Sequence, residues 1–139
     1  MKTSNRKIIL DVKKVRGMPV LKLQKIMKQW QSKLLLDKWN LSLKIVEFRR
    51  KDGFKQSGDI KIDLKNKKAI LLLTGEPFKD EEDVIVHELV HLLLWDYDTF
   101  AERVILKNCK KFAGDHGRYM DKLEATVKNI TDILIKKGE

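Results

Sequence analysis

The sequence predicts an α+β domain, on three observations. Apolar residues recur at helical spacing from Val20 to Leu36, alternate in two short segments and fill a third between Leu41 and Thr74, and return to helical spacing from about Lys79 to Lys136. Helix, then strands, then helices, without a repeated βα unit, is the order of a segregated α+β fold rather than a doubly wound sheet.

The first sixteen residues mix basic and apolar positions without a clean period, and Gly17 ends them. We read 1–16 as an N-terminal arm, either a short strand at Lys7–Val12 or a segment that docks over a cleft, and 17–139 as one domain. Pro19 suits the first turn of a helix, where its missing N–H costs nothing. Val20, Leu23, Ile26, Met27, Trp30 and Leu34 then mark one face to about Leu36. The strands form a small three-stranded sheet. Leu41, Leu43 and Ile45 alternate, and a phase shift at Val46–Phe48 suggests a bulge. Ile60, Ile62 and Leu64 alternate cleanly, Lys65–Lys67 is a hairpin turn, and Ala69–Thr74 is a continuous apolar run. That run is a candidate edge strand for an extended peptide, unless it is buried centrally in the sheet.

After Gly75–Pro77 a helix is expected from Lys79–Glu82 to Trp95, with Asp80, Glu81 and Glu82 favourable at its positive end. Apolar residues surround it, so it is expected to be buried. Two more helices follow, about Ala101–Phe112 and Arg118–Lys136, with a turn at Gly114–Gly117.

With 139 residues, 42% apolar and 36% charged, the chain is long enough for one packed core and too apolar for a disordered one. No apolar run reaches the roughly 18 residues of a membrane span, and the lysine-rich start does not fit a secretory signal. We therefore expect a cytoplasmic protein without a membrane partner. Cys109 is the only cysteine, so no internal disulfide forms; its place beside Val104, Ile105 and Phe112 reads as a small buried apolar group. The net charge of +10 attracts polyanions without sequence preference. Lysines scattered along the whole chain read first as a solvated surface, so nucleic acid is not the favoured partner.

The chemistry is concentrated in His87-Glu88-Leu89-Val90-His91. Residues four apart lie about 40° apart around a helix, so both imidazoles leave one side and can share a zinc ion. Glu88 is offset by one residue and flanks the metal instead of ligating it. Two of the chain's three histidines are here, in a helix where unpaired polar groups cost several kcal/mol. The pattern implies hydrolysis by a zinc-bound water that Glu88 deprotonates, with Glu88 then passing the proton to the leaving amine.

A third ligand is required. Downstream stand Asp96, Asp98, Glu102, Asp115, His116, Asp121 and Glu124. Asp96 and Asp98, at the end of the same predicted helix, cannot easily bend back. Glu124 borders the apolar stripe of Leu123, Val127, Ile130 and Leu134, from which a carboxylate can reach a facing helix. His116 lies on the predicted turn. Glu124 and His116 are the two contenders.

His87–Trp95, followed by Leu123-Glu124-Ala125-Thr126-Val127, resembles the gluzincin metallopeptidases, above all the minigluzincins and related short phage and prokaryotic proteins. The resemblance covers about Pro19–Ile135. It implies a minimal zincin-like domain: N-terminal helix, small sheet, buried active-site helix, and a glutamate helix donating Glu124 as third ligand. It implies a zinc endopeptidase acting on peptides or flexible protein segments. It also makes His116, Tyr119 and Tyr97 candidates for the oxyanion donor that zincin sites place opposite the base. The extra arm departs from that family, and no thermolysin-type sequence surrounds Glu124. A second resemblance is that of Asp115-His116-Gly117 to the His-Gly segment of SprT-like proteases, which cleave proteins crosslinked to DNA and would use His116. Here the gap from His91 is longer and the following aromatic, Tyr119, is out of register. A non-enzymatic module with a structural zinc would need four protein ligands, and one cysteine with three histidines is a poor supply.

Overall fold

A computed structural model describes residues 6–15, 18–76, 80–108 and 114–136. In chain order the elements are β1 (Arg6–Leu10), β2 (Lys14–Val15), β3 (Met18–Pro19), α1 (Val20–Lys33), β4 (Asn40–Arg49), β5 (Gly58–Asp63), β6 (Lys68–Thr74), α2 (Glu81–Leu93), α3 (Trp95–Lys107) and α4 (Asp115–Lys136). The class is α+β. The chain groups into two compact units, Met1–Leu89 and Val90–Glu139, and the boundary falls inside the unbroken helix α2.

In the first unit the sheet has four strands, not three, in the order β1-β4-β6-β5. Part of the arm supplies the extra one: Arg6–Leu10 pairs antiparallel with Ile45–Arg49. The arm's basic and apolar mixture suits an edge strand, where charge discourages pairing with other chains. A separate two-stranded ribbon joins β2 to β3. β4 and β6 run parallel, and β5 returns antiparallel on β6 through a turn in which Lys67 takes φ 53°. The expected bulge in β4 is absent. Its pairing runs on through Ile45 and Val46, which are both buried. Successive side chains point to opposite faces, so the phase shift reflects burial on both faces there.

Registered rows put Leu41 with Ala69 and Ile62, Leu43 with Leu71 and Ile60, and Ile45 with Leu73 and Gly58 on one face. This apolar face and the inward stripe of α1, Leu23, Met27 and Trp30, build the core with Ile85, Val86 and Leu89 of α2. Trp30 also donates its indole N–H to Glu82 at 2.9 Å, which joins α1 to the start of α2. Gln31 is buried and donates to the carbonyls of Leu36 and Trp39, holding the exit from α1.

In the second unit two expected boundaries move. The helix expected to reach Trp95 stops at Leu93, and α3 begins at Trp95 instead of Ala101. Asp96 and Asp98 therefore occupy the first turn of a new helix, where they complement its positive end. α4 begins at Asp115: Gly114 takes φ 90°, and its carbonyl accepts the first helical bond from Arg118 N–H. His116 and Gly117 thus lie within a helix and not on a turn. α4 buries Leu123, Val127 and Thr131, with Ile130 and Leu134 half-buried. Cys109 and Phe112 lie outside the described residues.

Candidate metal centre

Helix α2 is buried on most of its surface but not all round. Ile85, Val86, Leu89, Val90 and Leu92 are buried, Leu93 is 48% exposed, and Val84, His87, Glu88 and His91 form a half-buried strip. These four recur at helical spacing, so the polar motif lies on an accessible stripe of a helix that is otherwise packed between its ends. The pattern thereby solves a cost problem: polar side chains on this helix keep access to partners instead of being sealed in the core.

His87 and His91 stand one turn apart on α2, so the helix itself sets their spacing. Glu124 of α4 approaches His91, its Oε1 2.8 Å from His91 Nε2. The donor atoms of His87, His91 and Glu124 lie within 4.8 Å of one another. Donors sharing a tetrahedral zinc at about 2.0–2.1 Å sit roughly 3.4 Å apart, which falls inside that limit. Two imidazoles and one carboxylate are also the donor chemistry of a catalytic zinc site with an open position. The residues present fit the ion.

The other third-ligand candidates are engaged elsewhere or lie outside this group. His116 Nε2 sits 3.4 Å from Glu102 Oε2, without hydrogen-bond geometry, although that nitrogen is shielded from solvent. Asp115 pairs with Arg118 at 2.7 Å. Asp98, only 9% exposed, accepts the Tyr119 hydroxyl at 2.7 Å. Burial, and then this bond to the Asp98 carboxylate, pushes the Tyr119 phenol above its ordinary value. Tyr119 therefore acts in the structure as a proton donor tying α4 to α3. Tyr97 is 72% exposed. Tyr119→Phe is expected to leave zinc content unchanged and to cost about 1–3 kcal/mol in urea unfolding, because it strands a buried carboxylate.

No protein-family model, curated protein or solved structure matches the chain.

Two features near Glu88 were not singled out from the sequence. A Cβ on Gly58 would lie 2.7 Å from Val84 Cγ1 and 3.5 Å from Glu88 Cγ. Glycine thus lets α2 close on the start of β5 beside Glu88. The signal was present: Gly58 falls in phase with Ile60 and Ile62, where an apolar residue is otherwise expected. The second feature is the edge itself. β6 lies between β4 and β5, so Ala69–Thr74 cannot be the edge strand; β5 is. Thr74 N–H bonds Ser57 O, and pairing alternates from there, so Gly58, Ile60 and Ile62 turn their backbone groups outward. Gln56 donates to Gly58 O at 2.9 Å, and Asp59 accepts from Ile60 N–H at 2.8 Å, while Lys7 pairs with Asp59.

Proposed function

We propose that this chain is a zinc-dependent metallopeptidase of the gluzincin kind, with His87, His91 and Glu124 as the metal ligands and Glu88 as the general base. The observation that carries the reading is the gathering of those three donors within 4.8 Å, with Glu88 next to His87 on the same accessible strip. A bound zinc supplies Lewis acidity, lowering the pKa of a water and polarising the substrate carbonyl. Glu88 takes a proton from the attacking water and returns it to the leaving amine. The Glu88 stem lies against the start of β5, where Gly58 leaves room for it.

The substrate class follows from β5. An extended peptide can add to a sheet edge through its backbone, and this edge begins beside Glu88. Such a peptide exchanges its own groups for the Gln56 and Asp59 contacts that occupy Gly58 O and Ile60 N–H. Flexible segments can adopt that form and folded domains cannot. Glu124 beside His91, with His116 beside Glu102, favours this reading over the SprT-like one. Three protein donors in the group, among the described residues, favour an open catalytic site over a closed structural one. As for a membrane, no helix among the described residues is long and apolar enough to cross one.

The direct test is hydrolysis of an unfolded protein, such as denatured casein, by the purified chain. A chelator is expected to abolish cleavage and stoichiometric zinc to restore it. Cleavage unaffected by chelation would overturn the assignment.

A further inference from the structure

A second binding surface lies on the first unit, along β4. Only Ile45–Arg49 of that strand pairs with β1, so among the described residues Asn40–Lys44 carries no strand on that side. Asn40 N–H bonds Lys67 O, and Val46 O accepts from Gly75 N–H, so these even positions face β6. Backbone groups alternate along a strand, and Leu41 and Leu43 therefore face the open side. In agreement, Leu41 O is reached by a side chain, the Lys28 ammonium at 3.0 Å.

A groove of about 970 Å³ follows this open edge between β4 and α1. Its apolar floor includes Met27, Leu41 and Leu43, and Leu21 stands on its wall with 76% exposure. Lys22, Lys25, Lys28 and Lys44 surround it, and no acidic residue lines it. The lysine positions on α1 recur every three residues, so they stand in a row along one side of the groove.

We propose that this groove is a docking site for an acidic, extended peptide segment, which adds to β4 as a strand at Leu41–Leu43. Each feature answers one part of such a ligand. The open edge takes its backbone, the aliphatic floor takes alternate apolar side chains, and the lysine row takes the carboxylates between them. A single-stranded nucleic acid suits it less: none of the lining residues is aromatic, so bases have no stacking platform. The site is separate from the motif on α2 and does not depend on the peptidase reading.

The test uses the full chain and a labelled peptide of alternating Glu and Val. Binding is expected by fluorescence anisotropy, weakening as salt rises. The amide resonances of Leu41 and Leu43 are expected to shift on addition. Lys22→Glu with Lys25→Glu is expected to weaken binding about tenfold or more, since two attractive charges become repulsive. Lys107→Glu with Lys136→Glu, an equal change of charge on α3 and α4, is expected to leave it unaltered. Equal loss in both double variants would reduce the effect to net charge and overturn the proposal. So would peptide binding with unmoved Leu41 and Leu43 amides, equal binding of a Lys–Val peptide, or tighter binding of single-stranded DNA at the same lysines.

Discussion

Glu88→Gln is expected to keep the fold and bind zinc as tightly as the parent chain while losing about 10²–10⁴-fold or more in peptide hydrolysis. The amide is nearly isosteric with the carboxylate, so the packing of its stem against the start of β5 survives. What disappears is the group that can take a proton from water and give it to the leaving amine. The proposed role of Glu88 is that of a base and not a ligand, so metal affinity and activity should separate in this variant. Loss of zinc together with activity would make Glu88 a ligand. Full activity without the carboxylate would remove it from the mechanism.

Glu124→Ala is expected to weaken zinc binding far more than His116→Ala does. Loss even of a group that merely supports a ligand typically costs about 10–100-fold in metal affinity, so loss of a direct ligand should cost at least that. His116 sits beside Glu102 and outside the donor group, and its removal should change affinity by no more than a few-fold. Competition against a chelator of known affinity measures both. The reverse ranking would transfer the third-ligand role to His116 and restore the SprT-like reading.

The parts of this account legible in the sequence are those set by local periodicity. His87 and His91 share a face because they are four apart on a helix, and α1 presents Leu23, Met27 and Trp30 inward as its spacing requires. Glu124 was legible only as a border residue of an apolar stripe; its approach to His91 depends on tertiary packing that no local pattern encodes. The break at Leu94 carries no Gly, Pro or capping side chain, and apolar residues run straight through it. Asp96 and Asp98 therefore read as the end of the preceding helix, although they open α3. Strand order was equally hidden. Ala69–Thr74 reads as an apolar run because consecutive residues from Leu71 to Thr74 are buried, so both faces of β6 are covered, and that pattern does not reveal its parallel partner β4, two strands earlier in the chain. The edge strand β1 is ambiguous in the sequence because basic residues mixed with apolar ones fit a solvated arm as well as a protected edge.

The proposed reaction depends on one zinc ion held by His87, His91 and Glu124. Anomalous diffraction at the zinc edge, from crystals of the zinc-loaded chain, tests it most directly. A single strong site is expected, with His87 and His91 nitrogens and a Glu124 oxygen at about 2.0–2.2 Å and with no fourth protein ligand. Zinc found away from the two histidines, ligated by His116 in place of Glu124, or closed by a fourth side chain would contradict it.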